Sequence, residues 1–152
     1  MKRQGRYDRI YTQLDELITD KSPNLIAAMA TIAALLHHKM PHHFWTGFYF
    51  SAPKGELNVG PYQGTLACQV LKETGVCLSC VKKKAPVVVK NVEEFPGHIA
   101  CDARSKSEIV IPLIKNKKVM AVLDIDSLDL CQFSRADIKP LEKILSLLTP
   151  FL

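Results

Sequence analysis

The segment 107–127 constrains the fold of this chain most strongly, because two apolar runs flank a short polar turn around Asn116. In the second run, Val119–Ser127, apolar and polar residues alternate, which is typical of a β-strand with one buried face. Asp124 and Asp126 share one face, and the other face carries Val119, Ala121, Leu123 and Ile125. The runs Ser107–Lys115 and Val119–Ser127 therefore predict a β-hairpin with carboxylates on one side.

The side chain of Glu108, near the start of this hairpin, changes face with the length of the turn. A three-residue loop places Glu108 opposite Asp126, whereas a two-residue loop pairs it with Ile125 on the apolar face. We expect the three-residue loop, because a lone carboxylate among apolar side chains costs several kcal/mol. Three clustered acids bind a cation or hold a proton, and their mutual repulsion is expected to raise at least one pKa.

The rest of the chain predicts further strands and helices. The predicted helices cover about residues 8–19, 22–36 and 134–148, and the predicted strands cover 44–50, 56–60 and 87–89 besides the hairpin. Ser22 followed by Pro23 is a start signal for the second helix, and a capping box of Ser134 and Asp137 is a start signal for the last helix. Helices at both ends of a mostly antiparallel sheet indicate an α+β fold, and no linker divides the chain, so we expect one domain over 1–152.

Five cysteines indicate sulfur chemistry, since four of them lie in or near one polar stretch: Cys68, Cys77, Cys80 and Cys101. The first residues, MKRQGRYDR, lack the apolar run of a secretory leader, and no apolar run is long enough for a membrane span. We therefore expect a cytoplasmic protein without membrane contact. Cytoplasmic thiols stay reduced, so such a cluster favours catalysis or metal binding over a structural disulfide framework.

Two other functional classes can be weighed from the sequence. The net charge of +5 would suit nucleic acid, but the basic residues are scattered and the only tight run is Lys82–Lys84, so we expect no nucleic-acid binding. A zinc site stays open as an alternative, because Cys77-x2-Cys80 and His98-x2-Cys101 have the pairing of a structural Cys3His site. A chain of this length has a core of its own, which argues against a structural metal, and we expect neither metal nor cofactor.

The chain contains five segments that, in this order and at nearly these intervals, closely resemble the free methionine-(R)-sulfoxide reductases: WTGFYF, GPYQGTLAC, GVC, FPGHIACDARSKSEIVIPL and VLDIDS. These reductases are single-domain enzymes with the GAF fold, and the resemblance runs from about Trp45 to Ser127. It implies a central, mostly antiparallel sheet of about six strands. The terminal helices are implied to pack on one face of the sheet and the ligand pocket to lie on the other.

The resemblance also implies an activity, the thiol-dependent reduction of free L-methionine-(R)-sulfoxide to L-methionine. By motif, Cys101 is the catalytic cysteine, Cys68 resolves its sulfenic acid as a disulfide that thioredoxin reduces, and Cys77 is a third cysteine in the pocket. The implied substrate-binding residues are Trp45, Glu108, Asp124 and Asp126. We expect Glu108 and Asp126 to protonate the sulfoxide oxygen and Asp124 to meet the substrate ammonium. The resemblance also favours a homodimer.

Two departures from the family pattern bear on the cysteines. The interval between Cys68 and Cys77 is one residue shorter, and Cys80 stands where a small residue without a thiol is usual. Cys80 could therefore supply another disulfide partner. The rival hypotheses are a GAF module that senses a small molecule without catalysis, and the zinc-stabilised Cys3His domain.

Overall fold

A computed structural model describes residues 3–152 and consists of a six-stranded sheet with four α-helices. The strands are β1 Trp45–Ser51, β2 Leu57–Gln63, β3 Val70–Leu71, β4 Val87–Val89, β5 Ser107–Lys115 and β6 Lys118–Ser127. The helices are α1 Arg3–Ile18, α2 Leu25–Lys39, α3 Val76–Lys83 and α4 Ile138–Leu145. The strand order is β3-β2-β1-β6-β5-β4, and each neighbouring pair is antiparallel. The predicted α+β class is confirmed, although the first two residues of the predicted domain lie outside the described residues.

The sheet separates two apolar clusters. The larger cluster packs α1, α2 and α4 against one face of the sheet, through residues such as Phe48, Leu123 and Ile125. The smaller cluster covers the other face and includes Tyr49, Val110 and residues of α3. Because the two faces of a strand alternate, Asp124 and Asp126 project toward the second cluster, as the sequence predicts. The terminal helices thus occupy one face and leave the other for a site.

Helix boundaries differ from the sequence prediction at their starts. Helix α1 begins at Arg3 and not near residue 8, and α2 is capped by Asn24, whose side chain accepts the N–H of Ala27 at 2.9 Å. The predicted Ser22–Pro23 start was therefore wrong by two residues, about half a turn. The predicted capping box of Ser134 and Asp137 is confirmed, but it opens a 3₁₀ turn that leads into α4. None of the helices formed by residues 3–152 has the length and apolar character needed to cross a membrane.

The β5–β6 hairpin has the predicted pairing of Glu108 with Asp126, but its turn differs from the predicted one. Its turn has two residues, Asn116 and Lys117, both with positive φ (49° and 63°), so the predicted three-residue loop was wrong. A β-bulge follows, because Ile114 pairs with Val119 whereas Leu113 pairs with Ala121. The extra residue on β6 is Met120, and it shifts the register by one.

The bulge explains where the side chains beyond it point. Glu108 pairs with Asp126, which confirms the predicted register at the site end of the hairpin. On the turn side of the bulge, however, Val119 packs in the second cluster, not with Ala121, Leu123 and Ile125 on the helix face as expected. A two-residue turn joined to a one-residue bulge is thus equivalent to the odd connection that the carboxylates require.

Candidate active site

A cleft of about 570 Å³, a volume that includes its open mouth, lies on the face of the sheet opposite the terminal helices. The predicted site residues that line it are Trp45, Cys77, Cys101, Glu108, Asp124 and Asp126. Its floor comes from β1, β5 and β6, one wall from the start of α3, and its rim from the loop 98–105. Helix α3 was not predicted from the sequence, although Gly75 before it and the basic residues at its end are typical helix boundaries.

Cys68 is joined to Cys101 by a disulfide bond at the edge of this cleft, with the two Cα atoms 5.4 Å apart. The pairing is the one implied by the family resemblance. It also removes Cys101 from the proposed zinc set of Cys77, Cys80, His98 and Cys101. The Cys80 thiol instead faces the carbonyl oxygen of Val110 at 3.8 Å, so the Cys3His arrangement is not formed.

The three acids converge at the closed end of the cleft. Glu108 and Asp124 are 4% and 7% exposed, and Asp126 is half-buried. The Cys77 thiol donates to Oε1 of Glu108 at 3.9 Å, and Nδ1 of His98 lies 4.0 Å from Oε2 of the same carboxylate. Oδ1 of Asp124 is buried without a hydrogen-bond partner among the described residues. Such an atom is expected to meet a polar group of a ligand or a water molecule.

Burial raises the pKa of all three acids. The pKa of Glu108 is well above its usual value, first because the carboxyl is desolvated and second because Asp124 and Asp126 are close. Desolvation is also the main cause for Asp126, whose pKa is raised well above its usual value, and for Asp124, whose pKa is raised to about 6. The predicted repulsion therefore contributes, but burial is the larger cause.

The two buried free thiols are held in the neutral form. Desolvation, followed by the charges of Asp124 and Glu108, raises the pKa of Cys77 well above its usual value. Burial and Asp124 raise the pKa of Cys80 to about 12. Because the thiolate is the nucleophile, neither Cys77 nor Cys80 is activated in this arrangement. The two cysteines joined by the disulfide, Cys68 and Cys101, are instead half-buried and lie in loops.

Trp45 forms an aromatic wall of the cleft. Its indole stacks between the rings of Tyr49 and Tyr62, with centroid distances of 5.8 and 5.3 Å. Two glycines allow this position, since a Cβ atom on Gly47 or on Gly64 would lie 2.6 Å from an indole carbon. Sequence analysis did not identify Tyr49, Tyr62 or the glycines as part of the site. These residues lie in the WTGFYF and GPYQG segments that carry the family resemblance, but the contacts between the two segments depend on cross-strand register.

One group in the cleft has the composition of a cation site. Ligand atoms of Cys77, Glu108 and Asp124 lie within 4.8 Å of one another, and no other such group of metal-type side chains occurs within residues 3–152. Of the alternative zinc set, only Cys77 belongs to this group. A buried cluster of acids with a neutral thiol suits an ammonium group as well as a metal ion, because both are cations that carboxylates attract.

Comparisons with known proteins agree with this geometry. The GAF domain family model matches residues 24–149. GAF domain-containing protein A of Dictyostelium discoideum is 40% identical over 147 residues, covering 96% of this chain and 92% of that protein. Free methionine-R-sulfoxide reductase from Neisseria meningitidis, solved in complex with its substrate, is 34% identical with a TM-score of 0.93, covering 99% of this chain and 90% of that chain.

A second solved structure supports the same grouping. The fRMsr of Staphylococcus aureus, in complex with substrate, is 38% identical with a TM-score of 0.87, and the match covers 96% of this chain and 95% of that chain. These likenesses extend over nearly the whole length of each protein, so they include the sheet, the cleft and both cysteine loops. The chain therefore belongs to the GAF domain family, within the group of GAF-fold free methionine-(R)-sulfoxide reductases.

Proposed function

We propose that this protein reduces free L-methionine-(R)-sulfoxide to L-methionine with Cys101 as the nucleophile and Cys68 as the resolving cysteine. The observation that carries the proposal is the Cys68–Cys101 disulfide at the edge of a cleft whose closed end holds three acids. A sensing module would need a ligand pocket but neither a disulfide at its edge nor carboxyls whose pKa values are raised by burial. The likeness to reductases solved with their substrate supports the same substrate here.

The cleft offers a complementary group for each part of the substrate. The partnerless Oδ1 of Asp124 suits the ammonium group, and the face of Trp45 suits the methyl group on the sulfoxide sulfur. The substrate carboxylate suits the free backbone N–H groups at Gly75 and Val76, where α3 begins beside the cleft. With these three contacts the sulfoxide sulfur lies toward Cys101 and its oxygen toward the acids.

The reaction then follows from the groups around that sulfur. The Cys101 thiolate attacks sulfur, and Glu108 with Asp126 supplies the proton that the oxygen needs as the S–O bond is lost from the substrate. Methionine leaves and Cys101 retains the oxygen as a sulfenic acid. The Cys68 thiol condenses with this sulfenic acid, which releases water and forms the disulfide. A dithiol protein such as thioredoxin then reduces the disulfide by exchange and leaves as its own disulfide.

An assay with the two sulfoxide epimers tests the proposal. We expect purified protein to consume reducing equivalents from thioredoxin with free L-methionine-(R)-sulfoxide and not with the (S) epimer. Release of methionine is measured directly by chromatography, so that a poor match with the chosen thioredoxin does not hide the reaction; dithiothreitol provides the second reductant. Failure to release methionine from the (R) epimer with either reductant would contradict the proposed activity.

Replacing Cys68 by serine separates the two halves of the cycle. The variant is expected to release about one methionine per protein molecule and then stop with thioredoxin, because sulfur reduction precedes disulfide formation. Rapid-quench measurement of methionine against enzyme concentration checks this result, and Cys131→Ser, at an exposed cysteine outside the cleft, is the control. Continuous turnover by Cys68→Ser would mean that Cys77 or Cys80 resolves the sulfenic acid.

A blocked amine should make the substrate poor. N-acetyl-L-methionine-(R)-sulfoxide is expected to lower kcat/KM by about 100-fold, because Asp124 then faces a neutral amide in a buried site. The measurement compares kcat/KM for the free and acetylated compounds with dithiothreitol as reductant. Comparable values for the two compounds would show that Asp124 does not bind the ammonium group.

A further inference from the structure

The two loops that carry the disulfide cysteines are joined by a second connection that contains no sulfur. The hydroxyl of Thr65 donates to Oδ2 of Asp102 at 2.8 Å. Thr65 lies three residues before Cys68, and Asp102 directly follows Cys101. This hydrogen bond therefore bridges the same two loops as the disulfide, and neither of its groups takes part in thiol–disulfide chemistry.

Arg104 fixes the Asp102 side of this connection. Its Nε donates to Oδ1 of Asp102 at 3.0 Å and its Nη2 donates to Oδ2 at 2.8 Å, a two-point contact that orients the carboxylate. The Arg104 guanidinium also lies 5.0 Å from the centroid of the Phe44 ring, and the backbone N–H of Phe44 donates to the Asp126 carbonyl at 2.8 Å. We name Thr65, Asp102 and Arg104 the loop clamp. It is anchored beside the start of β1, one of the two central strands of the sheet.

The Cys68 loop depends on such contacts for its position. The loop spans 64–69, between β2 and β3, and has no helix or strand of its own. Gly64, the first residue of the loop, lies against the indole of Trp45 and has a φ of +132°, which other residues rarely adopt. Thr65 is exposed and its hydroxyl is bound to Asp102. These two contacts direct the chain toward Cys101.

We propose that the loop clamp holds Cys68 beside Cys101 in the reduced protein and so determines how fast and how favourably the disulfide forms. Resting on the proposed function, the step is the attack of the Cys68 thiol on the Cys101 sulfenic acid, which forms one S–S bond and expels the oxygen as water. A thiol held close by reacts at a far higher effective concentration than a thiol on a free loop. Thr65 and Asp102 are positioning residues, since neither contacts the reacting sulfur.

A thiol–disulfide equilibrium tests the loop clamp without any sulfoxide. In glutathione buffers, the protein disulfide and two reduced glutathiones interconvert with the protein dithiol and one oxidised glutathione. Thr65→Val, which removes the hydroxyl and keeps the shape, is expected to lower the equilibrium constant for disulfide formation about fivefold. Thr65→Ser keeps the hydroxyl and is expected to match the natural protein. Equal constants for all three proteins, or an equal loss in the valine and serine variants, would overturn the proposal.

The rate of resolution gives a second, independent readout. In a single turnover with methionine-(R)-sulfoxide, Thr65→Val is expected to release methionine as fast as the natural protein but to yield more sulfenic acid trapped by dimedone. Thr65→Ser should trap no more than the natural protein. Unchanged trapping in Thr65→Val would contradict the positioning role. If the natural protein releases no methionine, the proposed function fails, whereas the glutathione equilibrium still decides the role of the clamp.

Discussion

Replacing Cys101 by serine is expected to abolish methionine release from free methionine-(R)-sulfoxide, with a loss of about 1,000-fold or more in the single-turnover rate. The Cys101 thiolate attacks sulfur and takes up its oxygen, which makes it a sulfenic acid, and the hydroxyl of serine can do neither. The remaining cleft thiol cannot replace Cys101, because burial and the neighbouring acids keep Cys77 protonated. The measurement is methionine per enzyme molecule in a rapid-quench experiment.

The control for Cys101→Ser is Cys131→Ser, which removes an exposed thiol far along the chain and should leave the rate unchanged. Substrate binding gives a further check, because Cys101→Ser keeps the acids and the aromatic wall. The variant should therefore still bind the sulfoxide in calorimetry. Appreciable single-turnover release by the serine variant would refute the assignment of Cys101.

Glu108→Gln is expected to slow methionine release by about 100- to 1,000-fold, because the carboxyl group loses its transferable proton while the shape of the side chain is kept. The raised pKa of Glu108 has a defined consequence for pH. A carboxyl whose pKa is raised stays protonated below that value, so the natural protein should lose activity as pH rises through it. The same alkaline decline should be flattened in Glu108→Gln.

Single-turnover rates across a pH series provide the measurement. The matched control is Glu94→Gln, at an exposed glutamate outside the residues that line the cleft. It should reproduce both the rate and the pH profile of the natural protein. If Glu108→Gln keeps the natural rate and its alkaline decline, Asp126 alone supplies the proton, and Asp126→Asn should then show the losses expected here for Glu108.

The face on which Glu108 lies could be predicted from the sequence because a lone carboxylate among the apolar side chains of the helix-packed face would cost several kcal/mol, which favours the pairing of Glu108 with Asp126. The turn that produces this pairing could not be predicted. A three-residue loop and a two-residue turn followed by a bulge give the same pairing of Glu108 with Asp126, and local sequence does not distinguish them. The sequence was therefore sufficient to predict the position of Glu108 in the site but not the length of the turn.

Helix α3 and the aromatic wall show why other parts were missed. An eight-residue helix has little stability of its own, so α3 depends on packing against the sheet and not on a local signal. The stack of Trp45 on Tyr62 depends on the register between β1 and β2, which a single strand does not reveal. The disulfide partners were predicted from the family resemblance. The spacing of the cysteines alone did not exclude Cys77 or Cys80 as a disulfide partner.

The bulge at Met120 bears on how this gene can change. Mutations that replace turn residues 116 and 117 are remote from the reaction centre, and the bulge already absorbs the mismatch between that turn and the paired strands. Loss of the single codon for Met120 would remove only the bulged residue, because the pairs Ile114–Val119 and Leu113–Ala121 would become consecutive and Glu108 would stay opposite Asp126. Loss of one codon within 109–113 would be different, since Glu108 would then pair with Ile125 and turn to the helix-packed face, or the turn would have to be rebuilt. Among descendants of this gene, substitutions at the turn should therefore be common and single-codon deletions within 109–113 rare.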